Sequence, residues 1–201
     1  MKQNYQLILD KTINTECADR RPSLLLHACC APCSSYVLEY LSEYFDITLF
    51  FYNPNISPRE ENDIRASELE RLVGEMGLSD RVKVIMGDYE PEKFSEIAKG
   101  LETLPEGGAR CAKCYGLRLA ESARVAAEGG YDFFTTTLSI SPYKNADWLN
   151  AIGVSQGEKY GVRYLISDFK KRNGYKRSCE LSAEYGLYRQ DFCGCEYSKR
   201  A

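Results

Sequence analysis

Short, nearly unbroken apolar runs alternate along this chain with longer stretches in which apolar residues recur every third or fourth position. Residues 23–28 and 46–52 are runs of the first kind, and each reads as a strand buried on both faces. Residues 81–86, 131–136 and 162–166 read as further strands. Helical periodicity is clearest over 59–76, where Leu69, Leu72, Val73 and Met76 share a face and Gly77 supplies a stop. Residues 34–44, 92–99, 111–128, 145–156 and 178–185 are also expected to be helical, 111–128 being closed by Gly129-Gly130. This alternation predicts an α/β fold: a single-domain three-layer sheet, mostly parallel, with helices on both faces and a Cys-containing C-terminal tail. Order is expected to begin near Ser23, so that 1–22 form a loose N-terminal arm and 23–201 one α/β catalytic domain. In such sheets ligands gather at the carboxyl ends of the strands, which brings Cys29-Cys30, Asn53-Pro54-Asn55, residues 135–137 and Asp168 to one edge.

With 201 residues, 44% hydrophobic and 27% charged, the chain can bury a core without staples, so stability alone does not account for nine cysteines. The N-terminal segment lacks an apolar stretch between a basic start and a small-residue cleavage site, and the longest apolar runs, such as 47–52, are too short to span a bilayer. The expected setting is the cytoplasm, where thiols stay reduced and clustered cysteines bind metal or do redox chemistry. A net charge of −3 means that a nucleic acid has to be met by a local patch. Residues 163–177 offer one, with Arg163, Lys170, Lys171, Arg172, Lys176 and Arg177 set against Asp168 and interleaved with Tyr164, Phe169 and Tyr175. Such a mixture suits phosphate contacts and base stacking.

Seven cysteines fall into three groups, Cys29-Cys30-Ala31-Pro32-Cys33, Cys111-Ala112-Lys113-Cys114 and Cys193-Gly194-Cys195, while Cys17 and Cys179 stand alone and read as incidental thiols. A Cys-x-x-Cys near a helix start lets two thiols one turn apart grip one metal, and the helix dipole favours thiolates there. Gly194 allows the backbone to fold closely so that both sulfurs of Cys-Gly-Cys serve one side. Cys29 and Cys30, neighbours on an extended segment, are expected to point to opposite sides and to serve two centres. Seven thiols exceed the four that a [4Fe-4S] cluster or a structural zinc takes. The remainder suits a second metal completed by a carboxylate or water, or a dithiol pair and a spare. Cys-Cys-Ala-Pro-Cys stands where ATP pyrophosphatase chemistry would want a Ser-Gly-Gly-x-Asp-Ser loop, and the chain has no Gly-x-Gly-x-x-Gly or Walker loop. The single histidine, His27, reads as a satisfied core residue, and Asn53-Pro54-Asn55 and Ser141-Pro142-Tyr143-Lys144 read as turns able to offer polar groups to a substrate.

Taken together, several motifs resemble the QueH family of epoxyqueuosine reductases. They are Leu-Leu-His-Ala-Cys-Cys-Ala-Pro-Cys at 25–33, Phe-Tyr-Asn-Pro-Asn-Ile at 51–56, Arg-Cys-Ala-Lys-Cys-Tyr at 110–115, Thr-Thr-Leu-Ser-Ile-Ser-Pro-Tyr-Lys-Asn at 136–145, Asp-Phe-Lys-Lys at 168–171, Gly-Tyr-Lys-Arg-Ser at 174–178 and Tyr-Arg-Gln-Asp-Phe-Cys-Gly-Cys at 188–195. The resemblance implies a cytoplasmic oxidoreductase of tRNA queuosine biosynthesis that removes the epoxide oxygen of epoxyqueuosine with a [4Fe-4S] cluster and a nearby second metal, iron, and without cobalamin. It implies tRNA and a reductant protein or small electron donor as partners, and no membrane. Cys29, Cys30, Cys33, Cys111, Cys114, Cys193 and Cys195 are the implied metal ligands. The split expected among them gives the cluster Cys111, Cys114, one of Cys29 and Cys30 and one further thiol, and the second metal Cys193, Cys195 and the other neighbour. Asp168 is expected as outer ligand or proton source, Tyr143 and Lys144 as groups that orient the substrate, Asn53 and Asn55 as substrate contacts, and Lys170, Arg172, Lys176 and Arg177 as contacts to anticodon-loop phosphates. Two other readings fit parts of the pattern: an Fe-S thiol/disulfide reductase of the heterodisulfide type, and a non-catalytic zinc-stapled RNA-binding module.

Overall fold

The computed structural model describes residues 3–198, so the outermost residues of the two expected segments, 1–2 and 199–201, lie outside the described residues. Strands β1 (Ser23–Ala28), β2 (Asp46–Phe51), β3 (Lys83–Met86), β4 (Phe133–Thr136) and β5 (Arg163–Tyr164) form one sheet in the order β3-β2-β1-β4-β5. Every pairing is parallel, so the sheet expected to be mostly parallel is wholly so. The helices are α1 (Tyr5–Glu16), α2 (Ala31–Leu41), α3 (Arg59–Glu75), α4 (Pro91–Ala98), α5 (Ala109–Glu128), α6 (Ala146–Tyr160) and α7 (Gly174–Glu184).

Because β1 is central and covered on both sides, its apolar run divides by alternation. Leu24, Leu26 and Ala28 pack with Leu9 and Ile13 of α1, Val37 and Leu38 of α2 and Leu69 and Leu72 of α3. Leu25 faces the other layer with Phe134, Leu119 of α5 and Leu149 of α6. The connection from β1 leaves toward β2, whereas β4 lies on its opposite side. The crevice between the two connections, at the carboxyl ends of β1 and β4, is the switch point at which open parallel sheets bind ligands.

The expectation that order begins near Ser23 is corrected by α1. Its sequence is mostly polar and its inward face carries little more than Leu9 and Ile13, one turn apart, which is too sparse a signal for periodicity to register. Burial of those two side chains contributes about 1.5–3 kcal/mol each, and the Asn4 side chain caps the helix by accepting from Leu7 N. Helix α2 begins at Ala31 rather than Ser34, because Pro32 is pre-organised for a first turn. Helix α7 likewise starts at Gly174 rather than near Ser178.

Candidate active site

Strand β1 ends at Ala28, Cys29 lies in a bend, and Cys30 is the extended residue that caps α2, with φ −172° and ψ 163°. The change of direction between Cys29 and the helix undoes strand alternation. The two neighbouring sulfurs therefore lie 3.7 Å apart, correcting the expectation that they serve opposite sides. Cys33, in the first turn of α2, joins them, and all three sulfurs fall within 4.8 Å of one another. Thiolates arranged tetrahedrally around one ion at bonds of about 2.3 Å stand about 3.8 Å apart, so this set fits a single metal ion. Thiol protons donated by Cys29 and Cys33 hold Cys30 well below the usual thiol range despite its burial, with help from the Gln190 side chain. Donation to Cys30, together with burial, pushes Cys29 up to about 11, and hydrogen bonds to Cys29 and then Cys30, with burial, raise Cys33.

The other four thiols meet elsewhere. Cys111 and Cys114 sit in the first turns of α5, and the tail carries Cys193 and Cys195 across to them, so that all four line one narrow cavity. The tail is held there by Arg65 of α3, which donates to the carbonyls of Cys193 and Phe192 at 3.2 and 3.3 Å and pairs with Glu61 at 2.7 Å. The Gly194 carbonyl accepts from Ser57 N at 2.9 Å. Gly194 itself has φ +103°, and a Cβ there would lie 2.8 Å from Ile56 Cγ1, so the Cys-Gly-Cys turn has room for glycine alone. Burial pushes Cys114 up to about 11 and raises Cys195 as well.

This second set is looser than the first: among the described residues Cys29, Cys30 and Cys33 form the one metal-ligand group found within 4.8 Å. What surrounds the four thiols is informative. Of ten buried side-chain polar atoms without a partner among the described residues, five belong to Asn55, Arg110, Tyr115 and Arg118, which line this cavity. Buried polar groups are ordinarily paired. A cavity walled by four thiols and unpartnered donors fits an anionic group held by four thiolates, the donor set of a [4Fe-4S] cluster. The thiols thus divide four and three by motif, and the expected sharing of Cys29 and Cys30 between centres is not what the geometry gives.

A larger pocket opens beside both sets, with Cys29, Cys33 and Cys193 in its wall beside Lys144, Glu106 and Arg118. Lys144 is buried and donates to Glu106 at 2.7 Å. Burial opposes its charge, yet Cys193 and Glu106 beside it hold its pKa above the ordinary lysine value. Tyr143 stands at the rim, 65% exposed. Asp168 is placed elsewhere: it pairs with Lys170 at 3.0 Å and lines a neighbouring groove. Asn53 is structural, donating to Ala28 O and accepting from Arg118, while Asn55 faces the four-thiol cavity.

Among the expected phosphate contacts, Lys170 turns inward to Ser139 O and Lys144 O, Arg172 pairs with Asp10, Arg177 with Glu39 and Lys176 loosely with Glu180. Arg163 lies at the amino end of β5, paired with Glu16, away from the site. His27 is the satisfied core residue expected of it: Nε2 donates to Tyr52 O at 3.0 Å and Nδ1 accepts from Thr136 at 2.9 Å. Burial, with Arg118 second, lowers its pKa to about 4. Arg65, Glu106, Arg110, Tyr115, Arg118 and Gln190 were not expected at the site. For Tyr115 and Arg118 a signal existed, since Cys111, Cys114, Tyr115 and Arg118 repeat at three- and four-residue spacing on one face of α5.

Fold and site together define a class, a parallel α/β protein whose switch point carries two separate thiol groups beside an open pocket. The family model for epoxyqueuosine reductase QueH matches residues 24–201. Curated relatives described as epoxyqueuosine reductase QueH include those of Streptococcus pyogenes serotype M1, 43% identical over 99% of this chain and 79% of its own length, and Staphylococcus epidermidis, 45% identical over 98% and 85%. The Thermotoga maritima relative is 36% identical over 88% of this chain and 90% of its own. The chain belongs to the QueH family. A solved structure with a similar fold is the U34-tRNA thiolase NcsA from Methanococcus maripaludis with its [4Fe-4S] cluster, at TM-score 0.54 and 15% identity, covering 98% of this chain and 67% of that one.

Proposed function

We propose that this protein reduces the epoxide of epoxyqueuosine in tRNA to the cyclopentene of queuosine, in the cytoplasm and without cobalamin. The observation that carries the reading is the pair of thiol centres, one of four and one of three, beside one cavity whose wall includes members of both. Cys111, Cys114, Cys193 and Cys195 would hold a [4Fe-4S] cluster, and Cys29, Cys30 and Cys33 an iron ion. When bound, such groups supply electrons one at a time and a Lewis acid for oxygen. In the overall change both C–O bonds of the epoxide break, two electrons from an external donor and two protons enter, the two carbons become an alkene, and the oxygen leaves as water.

The chain's own residues bind and orient. Lys144, kept charged beside Glu106, presents Nζ to the cavity as a fixed ammonium that donates a hydrogen bond to the departing oxygen, and Glu106 fixes its direction. Tyr143 at the rim stacks on the entering base, in the manner of enzymes that take a nucleotide out of its stack. Asp168 acts through Lys170, which donates to the backbone of Ser139 and Lys144 and so shapes the rim. Lys176, Arg172 and Arg177, on the outer surface, exchange their acidic partners for RNA phosphates.

Anaerobic purification with iron and sulfide analysis, followed by reduction, incubation with epoxyqueuosine-containing tRNA and digestion, tests the reading. Queuosine should form without added cobalamin. Cys195→Ser should remove the cluster absorbance, whereas Cys30→Ser should keep it and abolish turnover. A colourless protein that holds zinc alone and converts nothing after reconstitution would overturn the proposal.

A further inference from the structure

Arg118 is 1% exposed, yet no carboxylate within salt-bridge distance pairs with it among the described residues. Arg65, equally buried, has Glu61. An uncompensated buried cation is costly, so its position calls for an anion. The guanidinium is aimed by neutral groups only: Nη1 donates to Asn53 Oδ1 at 3.3 Å and Nε to Cys114 O at 3.5 Å. Asn53 is in turn tied to Ala28 O at the end of β1, so the arrangement spans from the Cys29 bend to α5. Nη2 has no partner, and Arg118 lines both the four-thiol cavity and the larger one.

We propose that Arg118 is a positioning residue whose Nη2 donates to the anionic group held by Cys111, Cys114, Cys193 and Cys195 and sets the ease with which that group accepts an electron. The inference rests on the reading of these thiols as cluster ligands. Hydrogen bonds to sulfur and net charge are among the levers that set cluster potentials. A fixed positive charge without a carboxylate partner stabilises the more negative, reduced state. Asn55, with both amide atoms unpartnered, and the unpartnered Tyr115 hydroxyl complete the same wall.

The test is a redox titration of the anaerobically purified protein, followed by electron paramagnetic resonance, with iron and sulfide measured on each sample. At the poise where the wild type is half reduced, Arg118→Gln should show about a tenfold lower ratio of reduced to oxidised cluster, about 59 mV for one electron. Arg118→Lys keeps the charge but loses the planar fork, and should shift in the same direction by less. A cluster-loaded Arg118→Gln with the wild-type potential overturns the inference. Should that variant not retain the cluster, Arg118→Lys decides, and an unchanged potential there overturns it equally. A wild type that binds no iron overturns the reading beneath the inference, whereas a loaded wild type with an indifferent Arg118 overturns the inference alone.

Discussion

The two ends of the sheet treat polar groups in opposite ways. At the amino end Arg20 forms a two-pronged pair with Asp132, which also accepts from Ser23 N and Oγ. Arg21 reaches Asp46 and the carbonyls of Ser42, Glu43 and Phe45. At the carboxyl end, equally polar side chains are buried with atoms left unpartnered around the thiols. Fully paired polar groups contribute to folding, whereas unpaired ones cost stability until something binds. The difference marks the amino end as scaffold and the carboxyl end as a place prepared for an anionic group. Around that place the clamps that carry the tail, Arg65 above all, are themselves paired.

The largest test of this contrast is Arg65→Met. It leaves Glu61 buried without its cation, with only the Tyr188 hydroxyl donating to it, and frees the Cys193 and Phe192 carbonyls, so metal-free protein should lose about 3 kcal/mol in urea unfolding, and iron retention should fall with it. A loss under about 1 kcal/mol would put Arg65 on a par with exposed pairs and end its role as clamp. Gly194→Ala comes next. Positive φ and the crowding against Ile56 should cost about 1–3 kcal/mol, and cysteine accessibility to a thiol reagent should rise at Cys193 and Cys195.

Asn55→Leu separates the two ends most directly, because it should move stability and metal binding in opposite directions. Removing a buried amide that has no partner should leave the metal-free protein unchanged or up to about 1 kcal/mol more stable, while iron content after reconstitution falls. Destabilisation of the metal-free form by more than about 1 kcal/mol would mean that Asn55 is paired within the fold, and the cavity would lose part of its case for a ligand.

This contrast also explains what could be read from the sequence. Strands β1 and β2 were legible because they are apolar runs of the length that buried parallel strands require, and the cysteine motifs were legible because their spacing is local. Helix α1 was not, since Leu9 and Ile13 bury against partners brought from α2 and α3 by the fold. The split of thiols into four and three was hidden for the same reason: it depends on the bend at Cys29 and on Arg65 drawing the tail over α5. Lys170 and Asp168 show a further competition that composition does not register, since they pair with each other and with nearby backbone.

The smallest expected effect lies at the scaffold end, with Asp132→Asn. Arg20 first, then the Ser23 amide, holds the Asp132 carboxyl below the usual carboxylate range. A depressed native pKa means that between it and the unfolded value of about 3.9 the unfolded chain binds a proton that the native state refuses. The stabilisation is therefore fully present above about pH 4–5 and is lost as pH falls through the native value. Arg20 is 54% exposed, so solvent screening keeps the contribution to about 0.5–1 kcal/mol at pH 7. Urea unfolding of wild type and variant across pH should show a constant gap from neutral pH down to about 5, closing below about 4. The gap should also narrow in high salt, because the pair is partly in water. A gap that persists unchanged into strong acid would assign the effect to the Ser23 hydrogen bonds rather than to charge, and the amino end would then be held by its neutral bonds, with Arg20 dispensable.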